Sequence, residues 1–103
     1  MLYDMKLDDI VKQSKEFKAV LLELAEGKKE KSRSLYQELI DGIDRVVGVA
    51  TDYYKNGCTD RDYWDVKEAV WDLRLDTKAR SAEGFISPVL ADDLMAYFWS
   101  LIC

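Results

Sequence analysis

Acidic side chains occur in two pairs that could bind a divalent cation. Glu23 and Glu26 form the first pair, and Glu38 and Asp41 form the second. Residues three apart share one face of a helix, so each pair can direct two carboxylates to the same side. Carboxylate oxygens are ligands that Mg²⁺ prefers in proteins. If the two pairs face each other across a helical hairpin, they form a candidate magnesium site.

The spacing within these pairs resembles the ExxE and ExxD motifs of the all-α nucleoside triphosphate pyrophosphatases of the MazG type. The resemblance covers residues 23–41, and Leu22 stands where that family has a further Glu. It implies a magnesium-dependent enzyme in which the two pairs hold the metal. The competing interpretation, which we favour, is that all four acids lie on solvent-facing sides of their helices and that the protein binds no cofactor.

The composition excludes several other kinds of catalysis. The 103-residue chain contains no histidine, which removes the commonest general base and any Ser–His or Cys–His nucleophile pair.

The two cysteines, Cys58 and Cys103, are too few for a zinc site. They can pair only if the last helix ends beside the loop that holds Cys58. The N-terminal residues lack the basic and apolar segments of a signal peptide, so we expect a cytoplasmic protein with free thiols.

The charge and the hydropathy pattern restrict the partners. The net charge of −5 disfavours nucleic acid, which requires a basic surface, and favours a basic protein partner. Residues 94–103 carry no charge. This run is too short to span a bilayer and has no basic face that would hold it at a membrane surface. It predicts a buried terminal helix and no membrane partner.

Two tryptophans and a leucine form a second apolar surface on the third predicted helix. Trp64, Trp71 and Leu75 share one side, opposite the stripe that contains Val66 and Val70. We call these three residues the aromatic patch. Neighbours in a simple bundle cover one side of a helix, so the patch is either sandwiched between layers or exposed for a partner. That partner is a foreign protein or a second copy of the chain, because aromatic residues are enriched where proteins meet.

Acidic residues occupy another side of the same helix, which we call the acidic edge: Asp62, Asp65, Glu68, Asp72 and Asp76. A solvated surface with salt bridges to neighbouring residues is one interpretation, and a docking surface for a basic protein is the other. We therefore take Asp65, Glu68 and Asp72, together with the aromatic patch, as candidate partner-binding residues.

The elements that position these residues are predicted by periodicity. Apolar residues recur at steps of three and four in four stretches, which predicts one all-α domain over residues 1–103, a four-helix, roughly antiparallel bundle. Capping and stop residues place the helices from Leu7 to Glu26, from Ser32 or Ser34 to Asn56, from Thr59 or Asp60 to Leu75 or Arg80, and from Ser87 and Pro88 onward. The predicted core comprises Phe17, Leu21, Leu39, Ile43, Val46, Val66, Val70, Leu94 and Leu101.

Three functional hypotheses follow. The leading one is a small acidic, non-enzymatic protein–protein interaction module of the inhibitor, immunity or adaptor type. It depends on the absent histidine, the acidic surface and the surplus of tryptophans. The second is a Mg²⁺-dependent nucleoside triphosphate pyrophosphatase that uses the two carboxylate pairs. The third is a structural protein that self-assembles through its apolar surfaces.

Overall fold

The computed structural model of the protein describes residues 2–102. These residues form a short 3₁₀ turn, Leu2–Asp4, and four α-helices without a strand: α1 Leu7–Ala25, α2 Glu30–Lys55, α3 Asp60–Ala82 and α4 Pro88–Trp99. Helix α2 packs against α1 and α3, and α3 also packs against α4. The domain measures 42 × 20 × 19 Å along its principal axes. The predicted all-α bundle is confirmed.

One apolar stripe from each helix enters the core. Every residue predicted for the core is buried, from Phe17 on α1 to Leu101 after α4. Helix α2 contributes the most buried positions of the first three helices, because it packs between α1 and α3. The apolar run after Asp93 is a buried terminal segment, as predicted, because Leu94, Phe98 and Ile102 are all covered. None of the helices formed by residues 2–102 combines the length and the apolarity needed to cross a membrane.

Two helix ends differ from the prediction. Helix α2 begins at Glu30, before Ser32 and Ser34. The Ser34 hydroxyl does not cap the helix start; it donates a hydrogen bond to the Lys31 carbonyl oxygen at 2.8 Å, as serines inside helices do. Helix α3 continues through Ser81 and Ala82, beyond its predicted end at Leu75 or Arg80, and is followed by Gly84 in the left-handed region at φ 84°.

Two helix starts agree with the prediction. The Thr59 hydroxyl accepts a hydrogen bond from the Asp62 amide at 3.2 Å and thereby caps α3. The Ser87 hydroxyl accepts one from the Leu90 amide at 3.1 Å, with Pro88 in the first helical turn of α4. These side chains satisfy backbone donors that have no partner within the helix.

The N-terminal turn packs against the end of the chain. Leu2 is fully buried, and its amide donates a hydrogen bond to the Leu101 carbonyl oxygen at 3.0 Å. The Tyr54 hydroxyl donates to the Met5 carbonyl oxygen at 3.1 Å, and the Tyr63 hydroxyl donates to the Ile102 carbonyl oxygen at 2.8 Å. Tyrosines of α2 and α3 therefore hold both ends of the described chain at one end of the bundle. The sequence pattern did not predict this arrangement.

Cys58 lies in the loop between α2 and α3. It is exposed, its thiol is free, and its φ is 62°. The preceding Gly57 has a φ of 84°, so two successive left-handed residues turn the chain from α2 into α3. The second cysteine, Cys103, lies outside the described residues.

Candidate functional site

The aromatic patch on α3 is exposed. Trp64 retains 65% of its accessible surface, Trp71 retains 49% and Leu75 retains 54%. Val66 and Val70, on the opposite side of the helix, are buried. Helices α2 and α4 pack on α3 from the side of the core and leave the patch uncovered. Of the two arrangements that the sequence left open, the single chain therefore adopts the exposed one.

Trp99 of α4 extends the aromatic patch. The ring centroids of Trp71 and Trp99 lie 5.5 Å apart, with the ring planes inclined by 44°. The three tryptophans line an open groove of about 550 Å³ together with Lys67, Glu68 and Ile102. The sequence pattern did not assign Trp99 to this surface, because the uncharged terminal run was predicted as a buried helix. Ile102 also lines the groove but is itself buried, as predicted. The sequence did contain a relevant observation: the terminal run is apolar on all sides. Only some of these sides can face the core of the bundle, so another side can contribute to a second apolar surface.

Two basic side chains lie against the tryptophan rings. The Nζ atom of Lys67 is 4.6 Å from the ring centroid of Trp64. The Cζ atom of Arg74 is 4.6 Å from the ring centroid of Trp99 and 5.5 Å from that of Trp71. Such cations are attracted to the electron-rich faces of aromatic rings. They give the aromatic patch a positive border on the side of α4.

The acidic edge borders the aromatic patch on the side of α2, where Arg45 partly neutralises it. The Nη1 atom of Arg45 lies 2.6 Å from Oδ2 of Asp72, and its Nη2 atom lies 3.6 Å from Oε1 of Glu68. Asp65 is exposed. Asp62 accepts a hydrogen bond from the Thr59 hydroxyl at 2.7 Å and so belongs to the cap of α3. Part of this edge is therefore a salt-bridged helix surface.

The two carboxylate pairs do not converge. Glu23 and Glu26 line a groove between α1 and the start of α2, whereas Glu38 and Asp41 line a different groove between α2 and α3. Glu38 approaches Arg80 of α3, with 3.6 Å between Oε2 and Nη1. Within residues 2–102, no group of three or more acidic, cysteine or histidine side chains is arranged to bind a metal ion. The structure therefore does not form the hairpin site that the pairs would need.

Three tyrosines, Tyr53, Tyr54 and Tyr97, have raised pKa values. Burial raises the pKa of Tyr53 above its ordinary value of 10.0, and the neighbouring Cys58 thiol raises it further. Burial likewise raises the pKa of Tyr54 and of Tyr97. The ring of Tyr97 packs against Phe17 at a centroid distance of 6.0 Å. These tyrosines pack beside the core, so their shifted pKa values reflect folding and not the chemistry of the aromatic patch.

The site is thus an exposed apolar surface with borders of opposite charge. It contains aromatic side chains that can be desolvated and charged groups that can orient a second surface. The chain has no histidine, and the ionisable groups described above at the borders of the site are acids on one side and bases on the other. This arrangement suits binding to another protein.

No protein-family model, no curated protein and no solved structure matches the chain.

Proposed function

We propose that the chain is a non-enzymatic protein–protein interaction module, of the inhibitor, immunity or adaptor type, and that its partner docks on the aromatic patch. The exposure of Trp64 and Trp71 on one side of α3, next to Trp99, carries this proposal. A monomer seldom leaves a continuous aromatic surface in water unless it is used. Tryptophan is also the residue type that most often dominates the binding energy of an interface.

The borders of the aromatic patch define the chemistry of the partner. Asp65, Glu68 and Asp72 favour basic groups on one side, while Lys67 and Arg74 favour acidic groups on the other. The net charge of −5 adds a long-range preference for a basic partner. The same charge disfavours nucleic acid. The proposed partner is therefore a protein surface with an apolar centre, encountered in the cytoplasm, and neither a nucleic acid nor a membrane.

Capture experiments with tagged protein test the proposal. The bait is incubated with extract of the native host and, separately, with a copy of the chain that carries a different tag. We expect a partner to be captured by the wild type and lost with Trp71→Glu. The matched control is Leu22→Glu, because Leu22 is another exposed apolar residue, 57% accessible, on α1. This control should retain the partner.

Trp64→Glu provides a second variant at the same surface, at a residue that is even more exposed than Trp71. A partner that both Trp variants retain would contradict the proposal, as would the absence of any captured protein, foreign or identical. The pyrophosphatase hypothesis remains the alternative, and magnesium binding tests it. Assembly of the chain with itself through the aromatic patch is one form of the proposed docking, and capture by the differently tagged copy tests it.

A further inference from the structure

The outward side of α3 carries a single line of exposed residues: Trp64, Glu68, Trp71, Leu75, Lys78 and Ala82. Alternating steps of four and three keep them on one side of the helix from Trp64 to Ala82. With a rise of 1.5 Å per residue, the line is about 27 Å long. Helices α2 and α4 pack on the core side of α3, and the residues of this line stay exposed within the chain.

The line is complementary to itself when a second copy runs in the opposite direction. If the two copies of α3 cross at the level of Leu73, Glu68 of each copy faces Lys78 of the other. Trp71 then faces Leu75, and Trp64 faces Ala82, the smallest residue of the line. A two-fold axis generates each of these contacts twice. Opposite charges are thus paired at Glu68 and Lys78, and the large Trp64 side chain packs against the small Ala82 side chain.

A parallel arrangement lacks this complementarity. It would place Glu68 opposite Glu68 and Lys78 opposite Lys78, and like charges that face each other at an interface are unfavourable. In the antiparallel arrangement, Asp72 and Arg74 approach their own copies beside the two-fold axis. Each already has a partner within its chain, because Arg45 lies 2.6 Å from Asp72 and Arg74 packs over the ring of Trp99. These contacts reduce the repulsion at the axis.

We infer that a second copy of the chain occupies the aromatic patch, in a two-fold dimer whose α3 helices pack antiparallel. This inference rests on the proposed function and identifies the partner as a second copy in place of the basic protein that the net charge favours. Each copy carries a net charge of −5, so the local pairing along α3 has to outweigh a long-range repulsion that salt screens. The order of charges along α3 carries this inference, since a foreign partner requires no such symmetry. Trp99 lines the same groove and supplies further apolar surface at the edge of the dimer contact.

A charge swap tests the pairing. Sedimentation equilibrium is measured for the wild type, Glu68→Lys, Lys78→Glu and the double variant. Each single change sets like charges against each other at two symmetric contacts, so we expect the dimer dissociation constant to rise about tenfold. The double variant restores opposite charges across the interface and should return to within about threefold of wild type. The parallel dimer predicts no such rescue.

Controls separate this inference from the proposed function. Lys12→Glu combined with Glu16→Lys makes the equivalent swap on the exposed side of α1 and should leave dimerisation unchanged. Thermal melts should show that all variants fold, because the swapped side chains are exposed. A wild type that stays monomeric up to millimolar concentration overturns the dimer, and so does a double variant as weak as the single ones. In either case, capture of a foreign protein that Trp71→Glu abolishes would leave the proposed function standing.

Discussion

A Cβ atom on Gly42 of α2 would lie 3.0 Å from the Cδ1 atom of Leu73 on α3. Leu73 is almost completely buried, so its side chain has little room to move away. A glycine inside a helix costs about 1 kcal/mol of helix stability relative to alanine. At Gly42 the close packing of α3 offsets that cost. The contact fixes which side of α3 faces α2 and, as a consequence, leaves the tryptophans outside.

The two glycines within α2 should therefore respond oppositely to alanine. A Cβ atom on Gly48 would have no neighbour within 4 Å outside its own helix turn, so Gly48→Ala should raise the free energy of unfolding by about 0.5–1 kcal/mol. Gly42→Ala should lower it by about 1 kcal/mol or more, because overpacking against Leu73 exceeds the gain in propensity. Urea denaturation of both variants measures the difference. Equal stabilisation by the two substitutions would contradict the close packing.

Neighbouring residues on α3 should differ sharply in their tolerance of a charge. Trp71→Glu should leave the domain folded and cost about 1–2 kcal/mol, mostly through the lost ring contact with Trp99. Val70→Glu should unfold the domain, because it buries an unpaired carboxylate in the core. Circular dichroism with thermal melting distinguishes the two. Unfolding of both variants would show that Trp71 belongs to the core.

Magnesium should not stabilise the protein. Because the carboxylate pairs line different grooves, we expect no rise in melting temperature with millimolar Mg²⁺, and no difference in this respect between the wild type and Glu38→Gln. Binding and hydrolysis of nucleoside triphosphates, assayed with Mg²⁺ present, should also be undetectable. A magnesium-dependent rise that Glu38→Gln removes would instead favour the pyrophosphatase hypothesis.

Stability should fall in alkaline solution through the buried tyrosine Tyr53. The pKa of Tyr53 is raised in the folded state above 10.0, so the folded protein keeps this proton to higher pH than the unfolded chain does. Its contribution is complete below about pH 10 and is lost as pH rises through the folded pKa. The melting temperature of the wild type should therefore decline above about pH 10. Tyr53→Phe should show a shallower decline, and an identical one would contradict this origin.

The helices and the core could be predicted because they depend on local periodicity. Steps of three and four identify the buried side of each helix whatever it packs against, and Thr59 and Ser87 act within their own turns. The prediction for Ser34 was wrong. Its hydroxyl donates a hydrogen bond to the Lys31 carbonyl oxygen, three residues earlier, instead of capping the helix start. Competing local hydrogen bonds of this kind cannot be ranked from residue types alone.

The candidate site could be predicted only in part. Spacing placed Trp64 and Trp71 together, but whether they are exposed depends on where α4 packs, which is a tertiary property. Trp99 reaches the aromatic patch for the same reason. The carboxylate pairs matched a motif in sequence, yet the way α1 packs on α2 leaves them in different grooves. Residue spacing specifies a face of one helix and does not specify how two faces are oriented toward each other.

The hydrogen bond between Leu2 and Leu101 makes the path of the chain nearly a closed ring. New chain ends are tolerated best in exposed turns, where they leave the packing of the helices unchanged. The connection between α1 and α2 at residues 27–29 is such a turn, because all three residues are exposed. The order of the four helices along the chain can therefore be changed while their packing in the bundle is kept. A circularly permuted chain, joined between residues 2 and 101 and opened in that turn, would present the same α3 surface with its new termini between α1 and α2.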